Sequence, residues 1–207
     1  MDPSNPLRTL APTVDADVLQ VLARTQRPLS GVTVANLSGR SYARTRACLH
    51  RLVEHGLVTA QDAGSAVLYA LNRQHVLADP VLAAVGSTAS VEALLVERLA
   101  GWDPPARAVV LFGSWARGEA GPDSDLDLLL VRHDAVDADG AWGEQVHATG
   151  QALEVLTGNA VQFVQITGSQ LATAVREGQP LIIGLRQDGR VLAGPPLREL
   201  LAVGATA

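Results

Sequence analysis

The chain of 207 residues contains no lysine; all 16 of its basic side chains are arginine. That reads as a composition bias, and arginine also suits contacts to phosphate. A single cysteine, Cys48, excludes an intrachain disulfide and is expected to be a small core residue. Aromatic residues make up only 3%, so leucine, valine and alanine must do most of the packing. No apolar run reaches membrane-spanning length. Residues Met1 to Leu10 hold two prolines and two charges without an apolar core, so this stretch is not expected to be a signal peptide. The simple expectation is a soluble, cytoplasmic protein.

What is present suits one large domain or two small ones. Hydrophobic residues make up 47%, enough for ordinary cores. The net charge of −5 hides an asymmetry. Residues 1–80 carry eight arginines and six acids, whereas residues 81–207 carry eight arginines and fifteen acids. Such a split favours two units with different partners.

The first dozen residues, rich in Pro, Thr and Ser, read as a flexible arm. Helical spacing follows over Ala16–Arg24, with Asp15 or Asp17 as a cap. A short helix is expected over Val32–Leu37, stopped by Ser38-Gly39. Ser41 is a good N-cap for a third helix, Tyr42–His55, ended by Gly56. Two β-type runs, Leu57–Ala60 and Ala66–Leu71, flank a hairpin tip at Gln61–Ser65. Three helices and then a hairpin, with the "GLVTA…AVLYAL" pattern, resemble a winged helix-turn-helix over residues 14–73. That resemblance implies double-stranded DNA as the partner of residues 1–80. Arg40, Arg44, Arg46 and Arg51 lie on or just before the third helix and are the expected DNA contacts, and Arg73 would add a backbone contact. An ordinary basic solvent face or a protein-binding role is the alternative. Winged helices commonly bind DNA as two-fold dimers, so a homodimer is expected.

The domain boundary is expected near residue 80, followed by a linking helix over residues 81–100, interrupted at Gly86-Ser87. The rest alternates: a strand at Arg107–Phe112, a turn and short helix at Gly113–Glu119, and a strand at Leu126–Val131. A helix at Ala141–Thr157 and a strand at Ala160–Ile166 follow. Helices at Ser169–Glu177 and Leu181–Leu185, an extended Val191–Leu192 and a final helix at Pro196–Val203 complete the pattern. The fold class expected is a two-domain α+β or α/β chain, with a mixed sheet and flanking helices in the second domain.

The chemistry concentrates in LFGSWARGEAGPDSDLDLLLV. A buried strand ends at Gly113-Ser114, and ten residues later Asp125-Leu126-Asp127 opens another buried strand. Alternate strand residues share a face, so the two aspartates project side by side. Two carboxylates repel and are costly near a core unless a cation lies between them. Mg²⁺ often takes one or two carboxylates plus substrate phosphates. Gly113 permits close backbone approach, Ser114 opens a short helix whose N–H groups suit phosphate, and Arg117 could add a charge-assisted contact. A surface salt bridge from Arg117 to Glu119 or Asp123 is equally consistent with the sequence. Trp115 is expected to be partly buried or at a dimer contact rather than stacked on a base.

A glycine–serine pair, ten intervening residues and then D-x-D is similar to the signature of DNA polymerase β-like nucleotidyltransferases. G-S-W-A-R-G with S-D-L-D-L resembles their minimal bacterial and archaeal forms, and "REGQPLIIGLRQDGRVLAG" is similar to that group's tail. The resemblance implies that Gly113 and Ser114 contact phosphate. It implies that Asp125 and Asp127 are the catalytic, metal-binding carboxylates, with Mg²⁺ or Mn²⁺ and a nucleoside triphosphate, expected to be ATP. One departure stands out. The third carboxylate of that family is expected on the next core strand, where this sequence has Gln162; Glu154 on the preceding helix is a candidate substitute. Three functions remain open: nucleotidyl transfer to an unknown acceptor, a DNA-binding regulator that binds nucleotide without efficient turnover, and an antitoxin acting on a toxin partner.

Overall fold

In the computed structural model, residues 1–202 are described. The N-terminal apolar spacing forms α2 (Val14–Ala23), α3 (Gly31–Ser38) and α4 (Tyr42–Glu54), preceded by the short α1 (Leu7–Leu10). The two-residue β1 (Leu29–Ser30) precedes α3, and β2 (Val58–Ala63) and β3 (Ala66–Leu71) form the hairpin. The three strands lie in the order β1-β3-β2, all antiparallel. Helix α3 begins where the Ser30 hydroxyl accepts the Thr33 N–H at 3.1 Å and stops at Gly39, whose left-handed backbone suits a residue without Cβ. Val18, Leu22, Val34, Leu49 and Leu52 bury one face of each helix against Leu57, Val58 and Leu71. This is the winged helix-turn-helix arrangement.

Three local expectations are corrected. The N-terminal arm is not free: Asp2, Asn5 and Leu7 are buried. Asp2 Oδ1 accepts the Ser4 and Asn5 N–H groups, and Asn5 Nδ2 donates to Asp17 at 3.0 Å. Neither Asp15 nor Asp17 caps α2, whose N-cap is Thr13; both are taken by arginines. The hairpin is also tighter than expected, its ladder running to Ala63↔Ala66.

The chain divides between Thr88 and Ala89 rather than near residue 80, because α5 (Ala78–Val85) buries Val81 in the first core. Helix α6 (Ser87–Ala100) leads into the second unit. There β4 (Ala108–Phe112), β5 (Leu126–Arg132), β6 (Val161–Thr167) and β7 (Arg190–Ala193) form one sheet in the order β6-β5-β4-β7. The β5–β6 pair is parallel and the other two pairs are antiparallel. The connecting helices are α7 (Gly113–Arg117), α8 (Gly140–Thr157), α9 (Gly168–Glu177), α10 (Pro180–Asp188) and α11 (Leu197–Ala202). Val203, expected to end the last helix, lies outside the described residues.

Strand alternation builds two cores. Val109, Leu111, Leu126, Leu128 and Leu130 pack with α6 and α8 through Leu95, Leu99, Trp142 and Leu153. Val110, Leu129 and Val131 pack on the other side with Leu171, Ile182, Leu185 and Leu200 of α9, α10 and α11. Trp102 and Trp142 meet edge to face at 5.2 Å, and the Trp142 indole N–H donates to Gln165 Oε1 at 2.8 Å. Among the described residues, no single helix is long and apolar enough to cross a membrane.

Candidate functional site

The site forms where β4 ends beside the start of β5. Phe112 pairs with Asp127 in the antiparallel ladder, so the next residue, Gly113, turns away over that carboxylate. Gly113 has φ of +73°, a conformation disfavoured for any residue with a Cβ. A Cβ there would also collide with Asp127 Oδ2 and lie 3.3 Å from its carboxyl carbon. Two independent requirements therefore select glycine at 113. Ser114 is half-buried in the first turn of α7, and its carbonyl accepts the Glu119 N–H at 2.9 Å. Gly118 ends that helix in the left-handed region.

Asp127 alternates with Leu128 and so projects toward the side of the sheet covered by α9, α10 and α11. Asp125 precedes it by two residues and is also half-buried. Burial pushes the Asp127 carboxyl above the usual aspartate range; the Asp125 charge adds to this, Arg117 opposes it, and Asp188 adds a little more. A carboxylate in that state gains from a cation more than an exposed one does.

The loop carrying Asp125 is pinned by a residue that motif reading passed over. Asn159 is buried, and its Nδ2 donates to the carbonyls of Pro122 at 2.9 Å and Ser124 at 3.1 Å. Within the loop, the Gly121 N–H donates to Ser124 Oγ at 2.9 Å. The Leu126 N–H is held by the Ala160 carbonyl at 2.8 Å.

Gln162 lies opposite Asp127 in the parallel ladder, so the neutral amide stands next to the acid on the same face. Glu154 is not on that face. Helix α8 packs against the opposite side through Trp142, Val146 and Leu153, and Glu154 Oε1 accepts the Val161 N–H. It therefore does not replace a third carboxylate. Among the described residues, no three His, Cys, Asp or Glu side chains converge as a metal site.

Arg117 is engaged by carboxylates: its Nε donates to Glu119 at 2.7 Å and its Nη1 to Asp188. Asp123 takes no part. Asp188 was missed from the sequence because it lies 61 residues beyond Asp127, at the end of an amphipathic helix, without a spacing signal. Trp115 is buried to 2% exposure in the core, which removes both a dimer contact and base stacking.

In the first unit, two of the four arginines expected on DNA are already paired. Arg40 Nε donates to the buried Asp17 at 2.5 Å, where Arg8 also binds at 2.6 Å. Arg51 pairs with Asp15, which also accepts the Cys48 thiol. Arg44 and Arg46 are exposed on α4. Arg73 donates to the carbonyls of Ala23 and Thr25, so it too is occupied. The hairpin carries no basic residue.

Comparison with known families agrees with this architecture. Residues 96–172 match the nucleotidyltransferase domain, and residues 16–62 match the IclR helix-turn-helix domain. The chain therefore carries a nucleotidyltransferase domain behind a helix-turn-helix domain. No curated protein matches the chain. Among solved structures, it is similar to a toxin–antitoxin crystallised with AMP-PNP. That match has 19% identity and a TM-score of 0.39, covering 55% of this chain and 81% of the other. It is also similar to a mutant of the toxin–antitoxin MntA-HpeT, with 16% identity and a TM-score of 0.38, over 55% and 80% of the two chains.

Proposed function

We propose that the second unit is a metal-dependent nucleotidyltransferase that binds a nucleoside triphosphate against Gly113, Ser114, Asp125 and Asp127. The carrying observation is that Gly113 leaves no room for a Cβ beside the Asp127 carboxylate. The corner and the acid thus share one small space. Two adjacent carboxylates, one with its proton affinity raised by burial and by the other's charge, fit a divalent cation, Mg²⁺ or Mn²⁺. Such an ion would neutralise the phosphate charge and polarise the α-phosphoryl group.

Asp125 and Asp127 are the residues that would hold the ion. The α7 backbone and the Ser114 hydroxyl supply donors to phosphate oxygens. An acceptor oxygen attacks the α-phosphorus; the bond to the bridging oxygen of the β-phosphate breaks, pyrophosphate leaves, and the acceptor's proton passes to solvent. Gln162 has no carboxylate to take that proton. This favours a second reading, in which nucleotide binds with little turnover and the domain serves as a sensor for the helix-turn-helix unit.

Transfer from α-³²P-labelled ATP to protein, nucleic-acid and small-molecule acceptors tests the first reading. Label transfer that disappears in Asp125→Asn/Asp127→Asn supports it. Saturable ATP binding with no transfer to any acceptor class favours the sensor, and absence of both rejects the site. Through Arg44 and Arg46 on α4, the first unit is proposed to bind double-stranded DNA as a homodimer in the cytoplasm.

A further inference from the structure

Arg117 has two carboxylate partners of opposite character. Glu119 has a side chain 67% exposed, and its Oε2 accepts from Nε at 2.7 Å. Asp188 is only 8% exposed; its Oδ2 accepts from Nη1, while its Oδ1 is buried and has no hydrogen-bond partner. An exposed ion pair is weak and easily exchanged. Removing the cation from a buried carboxylate leaves an uncompensated charge, which is far more costly. Arg117 is therefore free to give up Glu119 and is bound to keep Asp188.

Asp188 is itself held firmly. Helix α10 packs against α7 and β4. A Cβ at Gly189 would collide with the Leu185 carbonyl oxygen, so the chain turns sharply just after the acid. Arg190 then enters β7 opposite Leu111, and its Nη2 donates to Glu92 of α6 at 2.6 Å. The two neighbours of Gly189 are thus tied to different parts of the unit. The charges of both Arg117 and Asp188 reach Asp127, which places the pair in the electrostatic surroundings of the proposed metal site.

We propose that Asp188 is a positioning residue that holds the Arg117 guanidinium beside the glycine–serine corner, and that Glu119 is the exchangeable partner whose place on Nε a nucleotide phosphate takes. This rests on the triphosphate reading above. Asp188 touches no substrate; it acts through Arg117.

Calorimetric binding of ATP, ADP and AMP with Mg²⁺ to the full chain tests it. Asp188→Asn and Arg117→Met are each expected to weaken ATP binding on the order of tenfold, the scale of one charge-assisted hydrogen bond. AMP binding should change less, and the double variant should lose no more than either single. Glu119→Gln should bind ATP several-fold more tightly, and that gain should vanish in an Arg117→Met background. Equal losses for ATP and AMP, additivity with Arg117→Met, or an inert Glu119→Gln overturn the proposal. Should Asp188→Asn fail to fold, the Glu119→Gln and Arg117→Met pair decides by the same criterion. ATP binding that is lost in Asp125→Asn yet unchanged in Asp188→Asn overturns this inference alone. No ATP binding by the unaltered chain removes it together with the triphosphate site.

Discussion

Asp127 and Gln162 are register partners across the parallel ladder of β5 and β6, one an acid with raised proton affinity and the other a neutral amide. Partners in register share a face, so a carboxylate at 162 would join Asp125 and Asp127 without any change of backbone. Gln162→Glu is therefore expected to raise nucleotidyl transfer in Mg²⁺ by on the order of a hundredfold, the lower end for a positioned general base. It should also lower thermal stability when Mg²⁺ is withheld, because three like charges then face one another. Label transfer and melting with and without Mg²⁺ read the two effects. A melting temperature indifferent to the metal in both chains would show that the carboxylates do not share an ion.

Gly113→Ala sets a backbone requirement against a contact. The new Cβ must occupy a left-handed conformation and collide with Asp127 Oδ2. Left-handed strain alone costs about 1–2 kcal/mol for a residue with a Cβ. The larger effect should be on the site, since Asp127 has to move: ATP binding is expected to disappear while the circular dichroism spectrum is kept. Full ATP affinity in a folded Gly113→Ala chain would argue that nucleotide does not bind at this corner.

These outcomes also mark how far the sequence could be read. Short continuous apolar runs made β4 and β5 legible as buried strands, and the ten-residue gap from Ser114 to Asp125 placed the two halves of the site. Gln162 was found because the nucleotidyltransferase resemblance implies a third carboxylate on the next core strand; the parallel register that sets it beside Asp127 came from the structure. Asp188 and Asn159 carried no such signal. One ends an amphipathic helix, the other lies in a turn after α8, and what each contributes depends on where the sheet brings it. The N-terminal arm misled for a related reason: its Pro, Thr and Ser content suits a loop, and only the tertiary partner Asp17 makes Asn5 and Arg8 structural.

The arginines around α4 separate into two classes with different expected phenotypes. Arg44 and Arg46 are exposed, so Arg44→Ala/Arg46→Ala should weaken duplex binding and flatten its dependence on log salt by about two, leaving the melting temperature unchanged. Arg40 neutralises the buried Asp17. Arg40→Ala should instead destabilise the first unit by about 1–3 kcal/mol, with Arg8 retaining part of the compensation. Fluorescence anisotropy across a salt series and urea melts read both. Equal melting losses in the two variants would contradict the division.

Cys48 gives the first unit a specific response to alkali. Burial pushes its thiol up to about 12 from an ordinary value of 9.0, and the hydrogen bond to Asp15 pushes in the same direction against Arg51. The folded chain therefore keeps a proton that the unfolded chain releases above pH 9.0. The corresponding stability is fully present below that pH and is lost as pH rises toward 12. Urea melts of the unaltered chain should accordingly weaken over this window, and Cys48→Ala should remove part of the pH slope. The native thiol should react only slowly with an alkylating reagent at pH 8, since the thiolate is the nucleophile. Rapid modification of the folded protein at that pH, or the same alkaline slope in both chains, would mean that Cys48 is not held protonated by its surroundings.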